Sequence, residues 1–190
     1  MIRTGHYFYK EESNMAIHAV VRTDLMHGTD NRADMVSFRY LPSNTATAID
    51  NGNVVLLGAL INGERELYAA STPAANSPIK DVVLVATPEL MYDERLRDLR
   101  DFYNEAGAAC RGYHLNTNDV FSVTAEAINN TKVDGSSNPV AVAVGDVVEL
   151  YAGTKLQVPG TTATNSSTVV GKVIQVEALS AYTYYVIKVA

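Results

Sequence analysis

Cysteine, long apolar runs and positive charge are all scarce in this sequence, and each scarcity excludes a class of protein. The single cysteine, Cys110, rules out an intramolecular disulfide framework and is expected to be a small buried apolar residue. No apolar run approaches the ~20 residues that a membrane-spanning helix needs. Residues 1–9 lack the apolar segment of a secretory signal. We therefore expect a soluble protein, made in the cytoplasm, with no membrane partner.

Positive charge is too scarce for a protein that binds nucleic acid. Lysine and arginine number 15 against 21 aspartate and glutamate residues, which gives a formal net charge of −6. Binding to phosphates depends on clustered Lys and Arg side chains, so we expect no nucleic-acid partner. Hydrophobic residues make up 47% of the 190 residues, which excludes disorder and is enough for one large or two small domains.

What the sequence does contain is one pattern that occurs twice. Residues 52–57 read Gly-Asn-Val-Val-Leu-Leu, and residues 145–150 read Gly-Asp-Val-Val-Glu-Leu. Residues 82–85, Val-Val-Leu-Val, and residues 173–176, Val-Ile-Gln-Val, form a second matched pair, and a long neutral loop precedes each of them. A strand pair, a long loop and a return strand are typical of small β-barrels or sandwiches. Residues 182–189 predict a further strand without a counterpart in the first half, so we expect the repeat to be partial.

The predicted fold is mainly β with one short α-helix. Residues 1–35 show no sustained period and predict an extended N-terminal arm. Residues 36–130 predict a β-rich body, and residues 137–190 predict a small C-terminal β-barrel after a polar, turn-rich boundary. The helix is predicted at about 93–106, where Asp93 can act as its N-cap. Its apolar face would consist of Leu96, Leu99, Phe102, Tyr103 and Ala106.

Potential metal ligands are concentrated in the predicted arm. His18, Asp24, His27 and Asp30 lie within thirteen residues, and imidazole with carboxylate is a legitimate ligand set. Their spacing matches no tight motif, and neither a helix nor a strand is predicted to align them. A polar, solvated arm is the preferred interpretation, and no metal site is predicted.

Catalytic pairs have simpler interpretations as well. Cys110 and His114 are four apart in a predicted strand, which separates them by about 13 Å and prevents proton transfer. Four carboxylates near arginines are interpreted as surface ion pairs on the predicted helix. These carboxylates are Asp93, Glu94, Asp98 and Asp101. No paired environment that would separate their pKa values is indicated.

Aromatic residues and glycines do not indicate a ligand site either. Tyr182, Tyr184 and Tyr185 are expected to have no cationic neighbours, so strand and interface packing is favoured over a platform for single-stranded nucleic acid. No phosphate-binding glycine motif is present. We expect no catalytic, cofactor or metal residues, and therefore a structural or interaction protein rather than an enzyme.

Four sets of stretches carry a resemblance to known proteins: residues 41–55, 91–95 with 102–107, 111–113 with 119–124, and 144–148 with 182–187. They resemble proteins encoded in head-morphogenesis regions of tailed bacteriophages and prophages of Firmicutes. The resemblance covers most of residues 20–190. That family is similar to capsid decoration, or cement, proteins. The resemblance implies a virion protein that docks on the capsid exterior, binds the major capsid protein and stabilises the shell, without catalytic residues. By analogy with decoration proteins it also implies a homotrimer.

Two other classes of protein remain open. Another phage structural component, such as a tail-tube, neck or head-fibre protein, would share the β-rich character and the arm. A glycan-binding module or a hydrolase would instead need an aromatic platform or a carboxylate pair within one pocket.

The arm is the part expected to contact the capsid or a neighbouring subunit, over residues 15–40. Arginine and methionine are favoured at interfaces. The predicted contact residues are Arg22, Leu25, Met26, Arg32 and Arg39. The alternative is an edge strand that packs on its own body.

The functional start of the chain is a separate question. Lys10-Glu11-Glu12 is what a purine-rich ribosome-binding site would encode, so Met15 is one candidate start. In the competing hypothesis, residues 1–14 are a genuine extension that anchors the arm on a neighbour through Tyr7, Phe8 and Tyr9.

Overall fold

Eleven β-strands form the two sheets of the computed structural model, which describes residues 17–23, 26, 34–92, 98–179 and 182–190. The first sheet contains β1 (Met35–Tyr40), β2 (Val54–Leu60), β3 (Leu67–Ser71), β4 (Val82–Val85) and β5 (Cys110–His114). The second sheet contains β6 (Val120–Thr124), β7 (Ile128–Asn130), β8 (Val147–Glu149), β9 (Leu156–Gly160), β10 (Val169–Ala178) and β11 (Thr183–Val189). The mainly β class predicted from the sequence is confirmed.

The first sheet closes into a five-stranded barrel in the order β1-β3-β2-β4-β5. Strand β1 makes the closure because it pairs in parallel with β3 and antiparallel with β5. Alternate residues of each strand point to opposite faces, and the inward set forms a buried apolar centre. This interior cluster includes Phe38, Val55, Val83, Val85 and Cys110.

The second sheet repeats the pairing of the first, strand by strand. Its order is β6-β11-β10-β8-β9-β7. Strands β7 and β9 are parallel, as β1 and β3 are, and β8, β9, β10 and β11 pair as β2, β3, β4 and β5 do. Strand β5 is therefore the counterpart of β11, so the expectation that residues 182–189 lack one is wrong. The match is not visible in the sequence because β5 and β11 occupy equivalent positions in their sheets but have dissimilar residues.

The two sheets differ in how their first strand is built. In the barrel, the first half of β1 pairs with β5 and its second half pairs with β3. In the second sheet two separate strands make the equivalent pairings: β6 pairs with β11, and β7 pairs with β9. A 3-10 turn, Ala125–Ala127, separates β6 from β7.

One apolar core joins the two sheets. Strand β4 turns Val83 and Val85 into the barrel, while Val82 and Leu84 pack against second-sheet residues such as Phe121. Strands β6 and β7, which the sequence placed in the 36–130 body, pair with strands of the last sixty or so residues instead. The partition of the strands therefore falls between β5 and β6, ahead of the predicted polar boundary.

The α-helix predicted at about 93–106 is not confirmed, because its described part is not α-helical. Residues 93–97 lie outside the described residues, and the chain then forms a 3-10 turn, Leu99–Asp101, before it continues as extended backbone. Asn104 exchanges two main-chain hydrogen bonds with Ile49, at 3.0 and 2.9 Å. These long-range bonds occupy the Asn104 main-chain N–H and C=O groups, which in an α-helix would bond to residues of the helix itself. No helix among the described residues is long and apolar enough to cross a bilayer.

The described part of the predicted arm packs on its own body. Ala19, Val20 and Val21 are buried, and Val21 forms an antiparallel bridge with Val123 of β6. The Thr124 amide also donates to the Val20 carbonyl at 2.9 Å. Burial of this apolar triplet favours an edge position over an extended arm. The alternative expected for this segment, packing on its own body, therefore fits the described residues better.

Candidate functional site

The predicted contact residues that the structure describes all have partners within the chain. The Arg22 guanidinium lies 5.8 Å from the Tyr184 ring centroid, and Met26 packs on the core that joins the sheets. Arg39 lies on β1 and donates from Nε to the Gly107 carbonyl at 2.9 Å. Leu25 and Arg32 lie outside the described residues. A role for these five residues in capsid or subunit contact stays a prediction.

The candidate metal ligands cannot be compared as a set, because Asp24, His27 and Asp30 lie outside the described residues. His18 Nδ1 is 2.7 Å from Asp50 Oδ1. Within the part of the chain that the structure describes, no group of three or more His, Cys, Asp or Glu side chains could hold a metal ion.

Cys110 and His114 occupy different positions along β5. Cys110 faces the barrel interior and pairs with Phe38 of β1, whereas His114 pairs with Val83 of β4. The Cys110 thiol donates to the Ala108 carbonyl at 3.6 Å, and burial raises its pKa to about 11. A thiol with this pKa stays protonated at neutral pH and is a poor nucleophile.

Asp98, one of the carboxylates predicted to form surface ion pairs, does pair with Arg100, and together with Asp101 it also organises a turn. Asp98 caps the 3-10 turn, and its Oδ2 lies 2.8 Å from Arg100 Nη2. Hydrogen bonds from Arg100 and from the Tyr182 hydroxyl hold the pKa of Asp98 well below its usual range. Asp101 closes the cap by accepting from the Asp98 amide at 3.1 Å. Asp93 and Glu94 lie outside the described residues.

Tyr182 and Tyr184 do have cationic neighbours, which corrects the sequence-based expectation. The Arg100 guanidinium lies 4.9 Å from the Tyr182 ring centroid, and Arg22 lies over Tyr184. The two tyrosine rings stack at 5.7 Å. We call these four residues the tyrosine–arginine cluster. The arginines come from segments more than eighty residues away in sequence, so no local signal could have revealed them.

His18 connects the N-terminal described segment to the same turn. Its ring stacks on Tyr103 with centroids 4.8 Å apart, and its amide donates to the Arg100 carbonyl at 2.9 Å. Together with its bond to Asp50, these contacts fix the position at which the chain enters the described fold, at Ile17.

An open apolar groove of about 500 Å³ lies beside this turn, between a wall from residues 87–92 and a wall from residues 101–109. Three large side chains that line the groove are unusually accessible. Tyr92 is 94% exposed, Leu90 is 68% exposed and Tyr103 is 41% exposed. Clustered exposed apolar side chains of this kind mark interaction surfaces.

Two buried asparagines hold the walls of the groove in place. The Asn51 side chain accepts from the Thr87 amide at 3.0 Å and donates to the Thr87 carbonyl at 2.7 Å. Its Oδ1 also accepts from Asn104 Nδ2 at 3.1 Å, and Asn104 belongs to the opposite wall. In the sequence, Asn51 indicates only a turn before β2. Its bridging role depends on hydrogen bonds to Thr87 and Asn104, which are distant in the sequence.

The groove is suited to apolar and aromatic ligands with positive charge. Among its described lining residues, the charged side chains are Asp101 and Glu105, and both are carboxylates. Comparison of the chain with protein-family models, with curated proteins and with solved structures gives no match.

Proposed function

We propose that this protein is a structural virion component that docks on the outer surface of a bacteriophage capsid and stabilises it, as decoration proteins do. Its partners in this proposal are the major capsid protein and further copies of itself in a homotrimer. It has no enzymatic role or cofactor in this scheme. The resemblance of residues 41–55 and of the other stretches to phage head proteins is the sequence support for the proposal.

The observation that carries the proposal is the apolar groove on a body whose two sheets share an apolar core. Leu90, Tyr92 and Tyr103 expose apolar surface that is costly in water, and the Asn51 bridge keeps both walls in position. A preorganised apolar surface loses little conformational entropy on association, which favours tight docking. The core shared by the sheets supplies the rigidity that a reinforcing protein needs.

Reconstitution on capsids tests the proposal. Purified protein is added to heads that lack it, and occupancy and heat-induced DNA release are measured. We expect decorated heads to retain DNA to a higher temperature. Leu90→Asp should reduce occupancy on the order of ten-fold, because docking would then bury a carboxylate. Val144→Asp, at an exposed valine outside the groove lining, is the matched control. Equal heat resistance of bare and decorated heads would contradict the proposal.

A tail-tube, neck or head-fibre role is the second candidate, because a β body with an interaction groove suits those assemblies equally well. Whether the protein co-purifies with tail-less heads separates the two. A glycan-binding module is a third candidate, because Tyr92 and Tyr103 line the groove together with Asp101 and Glu105. The Tyr182 ring lies against Arg100 and Tyr184 and is not an open stacking platform. A glycan array with the purified protein tests that role.

A further inference from the structure

The exposed apolar groove would favour aggregation of a protein that must stay in solution before it assembles. Leu90 and Tyr92 are more than half exposed, and the carboxylates Asp101 and Glu105 line the same groove. Surfaces with this composition promote self-association unless a ligand covers them. A suitable ligand would be aromatic and would carry positive charge.

The chain itself contains one segment with this chemistry. Residues 3–10 read Arg-Thr-Gly-His-Tyr-Phe-Tyr-Lys, with three consecutive aromatics, a base at each end and no acidic residue. Aromatic rings fill apolar grooves with large contact area at low entropic cost. Arg3 and Lys10 can pair with carboxylates such as Asp101 and Glu105.

The place at which the chain enters the described fold brings this segment within reach. His18 stacks on Tyr103, which lines the groove, and Ile17 before it is 59% exposed. The seven residue steps from Lys10 to Ile17 can span up to about 24 Å. A tether of that length gives the segment an effective concentration in the millimolar range at its own groove. A groove on a second copy has no such advantage in dilute solution.

We propose that the groove binds the chain's own amino-terminal segment, residues 3–10, with Tyr7, Phe8 and Tyr9 against its apolar walls. In the free protein this segment covers Leu90 and Tyr92. A partner that uses the same groove must displace the segment, so docking is coupled to its release.

Disulfide trapping in the full-length protein tests the inference. In the double variant Phe8→Cys with Tyr92→Cys, oxidation should form a bond within one chain, detected at monomer mass on a non-reducing gel and by peptide mapping. Phe8→Cys with Val144→Cys is the matched control, because Val144 is also exposed but lies outside the groove lining. The native Cys110 is 3% exposed and should not compete.

Amide hydrogen exchange provides a second measurement that requires no new bond. Replacing Tyr7, Phe8 and Tyr9 by Ser in the full-length protein should accelerate exchange in residues 87–92 and 102–109 on the order of ten-fold. Exchange in β10 should not change and serves as the internal control.

Each alternative outcome overturns the inference. No disulfide, equal trapping in the control pair, or unchanged exchange would show that the segment does not occupy the groove. A disulfide between two chains would assign the groove to a second copy. Both measurements use purified protein without capsids, so the inference can fail while the proposed function stands, and the reverse.

Discussion

Two buried polar side chains carry much of the local organisation at the residue scale. Asn51 is 1% exposed and bridges the two walls of the groove. Asp146 is also 1% exposed and receives the Lys132 ammonium on both oxygens, at 3.0 and 2.8 Å. Buried polar groups of this kind stabilise a fold only while every partner is present, because an unpaired one costs its full desolvation energy.

Asn51→Ala tests the bridge between the groove walls. The change leaves the Thr87 amide and carbonyl without their side-chain partner, so we expect the free energy of unfolding to fall by about 1–3 kcal/mol. Urea denaturation followed by circular dichroism measures the loss. Asn165→Ala, at an exposed loop position, should change stability by less than about 0.5 kcal/mol. Equal losses of stability in the two variants would show that the Asn51 hydrogen bonds do not stabilise the fold.

Lys132→Met tests the buried ion pair. It removes the cation from Asp146 and leaves a carboxylate that is almost wholly buried, so we expect a loss of about 3–5 kcal/mol. Adding Asp146→Asn should recover part of the loss, because the double variant has no unpaired charge. Lys155→Met at an exposed position is the control. If the double variant were as unstable as the single one, the charge explanation would be wrong.

At the element scale, the fold depends on contacts that fasten turns and strands to one another. The 3-10 turn Leu99–Asp101 is tied to the region preceding β11 because Tyr182 donates to Asp98 and Arg100 lies over the Tyr182 ring. Strands β10 and β11 are tied more closely still. They pair along most of their length, with one irregularity between Val173 and Gln175.

The contact of the turn with Tyr182 predicts an acid-sensitive contribution to stability. The pKa of Asp98 is lower in the folded state than in the unfolded state, where it is about 3.9. The ionised carboxylate therefore stabilises the fold fully above that pH, and this stabilisation is lost as the pH falls toward the folded-state pKa. Asp98→Asn should therefore be less stable than the wild type at pH 6, with the difference shrinking below about pH 4. Thermal unfolding at each pH measures it. Glu66→Gln is the surface control, and a pH-independent difference would refute the linkage.

Gly171→Ala tests the close approach of β10 to β11. A Cβ at this glycine would lie 2.0 Å from the Lys188 carbonyl oxygen, a main-chain atom that cannot move without breaking the strand pair. We expect a loss of more than about 3 kcal/mol or failure to fold. Gly135→Ala, where the added Cβ meets nothing within 4 Å, should be nearly neutral. A stable Gly171→Ala protein would disprove the pairing at this position.

At the scale of the whole molecule, the two sheets repeat one topology and share one core. Leu84 of β4 is fully buried and packs with residues of the second sheet. Neither sheet can lose this contact without exposing apolar surface of the other. The repeat in pairing therefore does not imply two independent domains.

Leu84→Ala should consequently destabilise the whole described body rather than one unit. We expect a loss of about 2–5 kcal/mol and a single unfolding transition that coincides by circular dichroism and tyrosine fluorescence. Ile174→Ala, at a position that is 44% exposed on β10, should cost much less. Two separate transitions in either variant would show that the sheets unfold independently.

The sequence by itself determined the class of the fold and several of its strands. The apolar run 82–85 and the Asn51-Gly52 turn are local signals, because alternation and turn chemistry act between near neighbours. The apolar spacing of Leu99, Phe102 and Tyr103 predicted a helix, but the same residues lie in a turn and a groove wall. The spacing of apolar residues cannot reveal the long-range hydrogen bonds between Asn104 and Ile49.

Only the tertiary structure decided the groove, the tyrosine–arginine cluster and the complete repeat. The groove depends on Asn51 reaching both Thr87 and Asn104, and the cluster depends on Arg22 and Arg100 meeting tyrosines of the last strand region. Parallel pairing of β1 with β3, and of β7 with β9, likewise joins segments that are not adjacent in the chain. Such contacts arise from the packing of distant segments, which local periodicity does not encode.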